Sequence, residues 1–287
     1  MKNKIILAAK SVGCSEIGIV RARKFFELTN ILERRGRVSF VEPDYEKRIN
    51  PFLIMGDVKS IIVCLFSYYN GQRGKISSYA HGKDYHPVIK EKLEKICDVL
   101  NEQGAKTLTL VDNSPLVERY LAYLCGLGFF GKNTMLINER LGSEFFIGCI
   151  LTDFELDEDR PLDNDMCIGC NRCIEACPGG ALQEGFLFDE NKCVSFLTQK
   201  KGELTQEEKE IIKKSGYIWG CDKCTEVCPY NKNLPITGIS EFKNELITDL
   251  EISEEMSNKE FKKMYGDRAF SWRGKSILLR NQKIISE

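Results

Sequence analysis

Eight cysteines fall into two runs whose spacing suits iron–sulfur ligation. The first reads Cys167-Ile-Gly-Cys170-Asn-Arg-Cys173-Ile-Glu-Ala-Cys177-Pro178; Cys193 follows, then Cys221-Asp-Lys-Cys224-Thr-Glu-Val-Cys228-Pro229. In the pattern C-x2-C-x2-C-x3-C-P, three thiolates of one tight loop hold one [4Fe–4S] cluster and the fourth reaches the other. The second run supplies the reciprocal set. The expected ligands are therefore Cys167, Cys170, Cys173 and Cys228 for one cluster, and Cys177, Cys193, Cys221 and Cys224 for the second. Each cubane needs four soft thiolates brought together, and Gly169 and Gly179-Gly180 let backbone approach the inorganic sulfides. Structural zinc also uses C-x2-C pairs, and an exported chain could form disulfides. Eight cysteines in this order are too many for one zinc and too patterned for disulfides.

A second candidate is Asp112. Lys106 to Val111 alternates as a strand and runs into Asp112-Asn-Ser114-Pro115. Ser114 and Pro115 read as an N-cap and a first-turn proline, opening a helix that carries Leu116, Val117, Leu121 and Leu124 and ends at Gly126. Asp112 then sits at the carboxyl end of a strand, where ligands bind in open α/β sheets; capping the helix or a turn is the bland alternative. Gly126-Leu-Gly-Phe-Phe-Gly131-Lys132-Asn133 is glycine-rich but lacks the Walker spacing. Either it lets backbone approach a bulky ligand or it is a tight turn.

The elements that would position these groups are legible in outline. Residues 3 to 12 suggest a helix, Ile17 to Val20 a strand and residues 24 to 36 a charged helix. Pro43 to Pro51 reads as a loop carrying Arg48. Ser60 to Tyr68 is a continuous apolar, β-branched run, as in a buried strand. Ile89, Leu93, Ile96 and Leu100 recur at helical spacing after Tyr79-Ala-His-Gly-Lys-Asp84-Tyr85-His86, and Gly104 closes that helix. Thr134–Ile137 and Phe145–Thr152 read as a hairpin across Glu139 to Gly142. Residues 153 to 166 form an acidic connector, and Thr205 to Ser215 a charged surface helix. Within 259 to 283, Lys259, Lys262, Lys263, Arg268, Arg273, Lys275, Arg280 and Lys283 face only Glu260 and Asp267, with Phe261, Tyr265, Phe270 and Trp272 interleaved. Such a segment suits RNA phosphates and unstacked bases; a solvated helix face packed by its aromatics is the alternative.

The chain has 287 residues, 43% of them apolar, and a net charge of −1, enough for two domains and without a global bias toward nucleic acid. The cysteines outside the runs are Cys14, Cys64, Cys97, Cys125 and Cys149; their apolar surroundings mark them as core residues. Neither a signal peptide nor a membrane-length apolar stretch is present, so the expected location is cytoplasmic.

Taken together, several of these motifs resemble the epoxyqueuosine reductase family. They are Tyr79 to His86, Val111-Asp-Asn-Ser-Pro-Leu-Val-Glu118, Gly126 to Asn133, Gly142-Ser-Glu-Phe-Phe146, both cysteine runs, and Trp272-Arg-Gly with Leu279-Arg-Asn281. The resemblance spans about residues 1 to 281. It implies an α+β chain: a corrinoid-binding α/β domain like that of reductive dehalogenases (1–157), a ferredoxin-like double [4Fe–4S] domain (158–235) and a short helical C-terminal segment (236–287) with a tRNA contact. The implied reaction is reduction of epoxyqueuosine to queuosine at the wobble position of tRNA, using cobalamin and two [4Fe–4S] clusters. Asp112 matches the family's proton donor. The implied cobalamin contacts are Arg48, Asp84, Tyr85, His86, Asp112, Lys132, Asn133, Leu136, Ser143 and Ile147. The implied partners are tRNA and a separate electron donor, with the chain a monomer off the membrane. Two departures stand out. Longer members carry a C-terminal helical-repeat domain, whereas this chain stops just after Arg280-Asn281. His81 replaces the usual basic residue of the Tyr-Ala-x-Gly motif. Reductive dehalogenation and simple electron carriage remain the alternative functions, and the roughly 160 residues ahead of the cysteines argue against a mere carrier.

Overall fold

The computed structural model describes residues 1–35, 39–163 and 167–287. Its contacts divide the chain into two units. The first comprises Met1–Ser67, His86–Phe129 and the stretch from Phe146 into the acidic connector; the second comprises Tyr68–Tyr85, Phe130–Phe145 and Cys167–Glu287. The units interleave along the chain, where the sequence reading drew consecutive segments.

The first unit is organised on a four-stranded sheet in the order Glu16–Arg21, Ser60–Ser67, Phe145–Thr152, Thr107–Val111. Ser60–Ser67 is buried at all eight positions, as its unbroken apolar run requires of an inner strand. The outer strands pair antiparallel with their neighbours, Ile19 opposite Ile62 and Val111 opposite Gly148. Strand order and direction thus depart from the all-parallel sheet on which the ligand-site rule for Asp112 was framed, although Asp112 still follows the last residue of its strand. Helix Tyr85–Asn101 buries Ile89, Leu93, Ile96 and Leu100. It lies so close to the sheet that a Cβ on Gly148 would meet Ile89 Cγ2 and Leu93 Cδ1 at 2.9 Å. The five cysteines outside the runs are all buried.

Three local expectations change. Tyr45–Ile49 is a short helix rather than a loop, because the Asp44 side chain accepts from Glu46 N–H at 2.9 Å. Ser114 does not cap a helix: the helix spans Glu118–Leu124, with Val117 at its N-cap position. Leu136–Ile137 pairs with Phe129–Phe130, not with Phe145–Thr152, because the chain turns back within Gly131–Met135, where Gly131 N–H bonds Met135 O at 3.0 Å. The charged stretch from residue 24 resolves into a 3-10 turn, Phe26–Leu28, and helix Thr29–Arg35. Its residue 36 and connector residues 164 to 166 lie outside the described residues.

The second unit has its own core of Ile76, Trp219, Phe261, Phe270 and Leu278. Helix Gln206–Ser215 begins with a capping box, Thr205 with Glu208, and ends at Gly216 in a left-handed conformation. The C-terminal helix Lys275–Ser286 is fastened to this unit by polar side chains. Asn281 is fully buried, and its amide donates to Thr198 O at 2.7 Å and Ile218 O at 2.9 Å. Arg280 donates to the carbonyls of Lys200, Gly202 and Leu197.

Candidate functional site

The second unit gathers the eight cysteines in two fours. Burial pushes the Cys173 thiol up, and Cys170 and Cys228 act in the same direction. Burial raises Cys228 likewise, with Cys170 and Cys167 adding to it. The other set is Cys177, Cys193, Cys221 and Cys224. Burial lifts Cys221 to about 12, with Cys193 and Cys177 contributing, and carries Cys224 well above the ordinary thiol range, with Cys221, Cys193 and Cys177 as neighbours. Among the described residues, no three His, Cys, Asp or Glu side chains close around a single ion. A cubane asks for a different arrangement, four thiolates each on its own iron, and both fours suit it. The first set lines a small recess together with Lys132 and Asn133. The Ala181 N–H donates to Cys177 Sγ at 3.2 Å, a backbone dipole of the kind that tunes cluster potential. Burial keeps the thiols of Cys173, Cys193, Cys221, Cys224 and Cys228 protonated, so their ligation to iron releases protons.

The glycine-rich segment supplies two residues to that recess. A Cβ on Gly131 would meet Asn133 Oδ1 and Ile137 Cδ1 at 2.6 Å, so the glycine lets these side chains close on the turn. Lys132 Nζ bonds Asn171 Oδ1 at 2.7 Å and Glu184 Oε2 at 2.9 Å. Asn133 is buried; its Oδ1 accepts from Met135 N–H, and its Nδ2 has no hydrogen-bond partner. Leu136 and Ser143 are buried too. Ser143 is held by Asn231, just past the last cysteine, through its N–H at 2.8 Å and its hydroxyl at 2.9 Å. Asp84 donates its N–H to Asp267 O at 2.7 Å, and Tyr85 meets Tyr79 edge to face at 6.3 Å.

In the first unit, Gly148 lets the Tyr85–Asn101 helix close on the sheet, and this sets His86, in its first turn, beside the end of the Thr107–Val111 strand. His86 Nε2 lies 3.6 Å from Asp112 Oδ2. Asp112 has φ +54, and its side chain is 62% exposed. The carboxyl buried here is that of Glu118, not Asp112. Glu118 Oε2 accepts the Asp112 N–H at 3.2 Å, and its Oε1 is buried without a partner. Burial first, then the charge of Asp112, pushes the Glu118 carboxyl up to about 8. Glu118 was missed as a site residue because the capped-helix reading left it as an ordinary first-turn acid. Arg48 and Ile147, half-buried, belong to this unit as well.

The basic segment divides into tethered and open cations. Arg268 is 6% exposed and donates to His81 O at 3.3 Å. Lys275 bonds the carbonyls of Glu254 and Met256. With Arg280, these cations bond backbone carbonyls. Lys259, Lys262 and Lys263 are exposed. Trp272 is 55% exposed, with the Arg273 guanidinium 3.7 Å from its ring centre.

A family model described as "4Fe-4S double cluster binding domain" matches residues 166–231, and one described as "Epoxyqueuosine reductase QueG, DUF1730" matches residues 48–113. Epoxyqueuosine reductase of Bacillus cereus is 34% identical over 98% of this chain and 78% of its own length. The chain belongs to the epoxyqueuosine reductase family. A crystal structure of an epoxyqueuosine reductase with an epoxyqueuosine-modified tRNA-Tyr stem loop matches 99% of this chain and 80% of its own, with TM-score 0.88 and 32% identity. The catabolic reductive dehalogenase NpRdhA matches 82% of this chain and 32% of its own, with TM-score 0.52 and 19% identity; the two share a fold. The family assignment covers both the Asp112 segment and the cysteine fours.

Proposed function

We propose that this chain reduces epoxyqueuosine in tRNA to queuosine. The observation that carries the reading is family-level identity over 98% of the chain, which takes in the His86–Asp112 pair and both cysteine fours at once. Cysteines 167, 170, 173 and 228 hold one [4Fe–4S] cluster; 177, 193, 221 and 224 hold the other. The residues proposed to contact cobalamin are Arg48, Asp84, Tyr85, His86, Asp112, Lys132, Asn133, Leu136, Ser143 and Ile147. The unpartnered, buried Asn133 amide suits such a polar ligand. When bound, these groups supply single electrons and a strongly reducing cobalt centre.

The remaining work belongs to the side chains. Replacing the epoxide by the alkene takes two electrons and two protons, and the oxygen departs as water. Charge develops on that oxygen as the ring opens, and Asp112, once it has taken up a proton, delivers it to neutralise that charge. His86, 3.6 Å away, orients the Asp112 carboxyl. The RNA-facing cations are Lys259, Lys262 and Lys263, with the Trp272–Arg273 pair available to stack on a base. The chain works as a cytoplasmic monomer fed by a separate electron donor; no helix among the described residues is long and apolar enough to cross a membrane.

Anaerobic turnover of epoxyqueuosine-containing tRNA, with and without cobalamin, tests the reading: queuosine forms only with cobalamin. Turnover without it, or none with it in protein carrying both clusters, overturns the reading. For ligation, Cys228→Ala should lower iron from about eight to about four per chain while the spectrum of the Cys177/Cys193/Cys221/Cys224 cluster stays intact. Loss of that cluster instead would reassign Cys228.

A further inference from the structure

The segment from Asp112 to Val117 has no regular secondary structure. Asp112 holds a left-handed backbone, φ +54, which a residue other than glycine keeps only where its surroundings impose it. The turn is closed locally by Asn113 N–H on Val111 O at 2.5 Å, and a second restraint comes from six residues downstream. Glu118, the first residue of its helix, turns its side chain back so that Oε2 accepts the Asp112 N–H. The titratable and polar groups acting on this carboxyl are Asp112 and Ser114 from the segment and His86 from the Tyr85–Asn101 helix; Cys149 of the Phe145–Thr152 strand feels it in turn. None of them is a lysine or arginine, so no ion pair explains a carboxyl placed here.

We propose that Glu118 is a positioning residue for the reaction: its carboxyl grips the Asp112 peptide N–H, fixes the left-handed turn, and keeps the Asp112 side chain beside His86. The proposal rests on the reading of Asp112 as proton donor, and it adds how that donor is held. The grip is made by a neutral carboxyl over most of the working pH range, since burial and Asp112 keep Glu118 protonated up to about 8. A neutral glutamine can make the same grip; an apolar side chain of similar length cannot.

The chain has two histidines. His81 is fully buried, its Nε2 2.8 Å from Ile76 O, so ring-labelled histidine gives a separate reading of His86. In the pH range where histidine titrates, Glu118, Gln and Met at position 118 are all uncharged. Any movement of the His86 midpoint therefore reports displacement of the Asp112 carboxylate, which by its charge raises that midpoint. In cluster-loaded protein, Glu118→Gln should leave the His86 midpoint and kcat near wild type. Glu118→Met should lower the midpoint toward that of Asp112→Asn and cut kcat by roughly 10- to 100-fold, the scale of an ångström-level misplacement, with KM for the tRNA unchanged. A wild-type midpoint in Glu118→Met overturns the proposal. So does a midpoint in Glu118→Gln that falls as far as in Asp112→Asn, and this arm decides alone if Glu118→Met does not fold. The histidine titration needs no substrate, so the grip stands or falls separately from the assigned reaction.

Discussion

Each unit buries a glutamate carboxyl, and the two are treated in opposite ways. Glu144 of the second unit is 1% exposed. The Arg73 guanidinium meets both its oxygens, and the Ser78 hydroxyl lies 3.4 Å away. Burial pushes Glu144 upward while Arg73 draws it back. Glu118 of the first unit accepts one peptide N–H, with Ser114, His86 and a neighbouring aspartate about it, and burial lifts it to about 8. The difference lies in the partner. A buried carboxyl given a guanidinium is a fixed ion that organises structure; one given an N–H and a like charge is a neutral acid that can hold a loop without holding charge. Asp222 of the same unit is held by neutral donors instead. It is 6% exposed, and it accepts from the Ser77 hydroxyl and, at 2.7 Å, from Ser78 N–H. In the second unit a guanidinium, hydroxyls and a peptide N–H hold buried carboxylates; in the first, Asp112 keeps a left-handed backbone beside a buried carboxyl.

If that division is right, substitutions in the two regions fail differently. The largest effect belongs to Asp112→Asn, which keeps size and hydrogen-bonding capacity but has no carboxylic proton. Turnover should fall by 10²–10⁴-fold while both clusters and thermal stability stay as in the wild type. Near-normal turnover would make Asp112 a structural turn residue and erase the contrast. Next is Arg73→Ala. Removing the cation leaves Glu144 buried and uncompensated, at a cost of about 3 kcal/mol, read as a lower urea midpoint in protein with full cluster content. An unchanged midpoint would mean that Glu144 needs no ion partner and resembles Glu118 after all.

How much of this could be read from residues alone depends on how far apart the partners are in sequence. The cysteine fours were accessible because the first loop carries three ligands within seven residues, the second repeats the C-x2-C-x3-C-P ending, and thiolate spacing has few other uses. The Ser60–Ser67 strand was accessible because burial on both faces leaves an unbroken apolar run. Ser114 misled because Ser-Pro has the form of a helix start, whereas the segment is held by a glutamate that reaches back over six residues. Arg268, Lys275 and Arg280 were opaque for a similar reason. Their tethers are carbonyls at His81, at Glu254 and Met256, and at Leu197, Lys200 and Gly202. Charge composition does not say whether a cation meets a phosphate or a carbonyl.

The smallest effect is also the most specific to the comparison, and it concerns stability against pH. Unfolded, Glu118 titrates near its ordinary value of 4.5; folded, it titrates at about 8. Between those values the folded chain keeps a proton that the unfolded chain has lost. Stability therefore falls as pH rises through this window and levels off above about 8, because it declines wherever the unfolded state binds fewer protons. Glu118→Gln is neutral in both states and removes this slope, while Glu144 contributes equally to both proteins and cancels. Anaerobic melting of wild type and Glu118→Gln at pH 5, 6.5 and 8 should show the variant gaining Tm relative to wild type at each step. Parallel curves would mean that Glu118 ionises in the folded chain much as it does in the unfolded one. It would then be a charged residue like Glu144, and the neutral grip on Asp112 would have no basis.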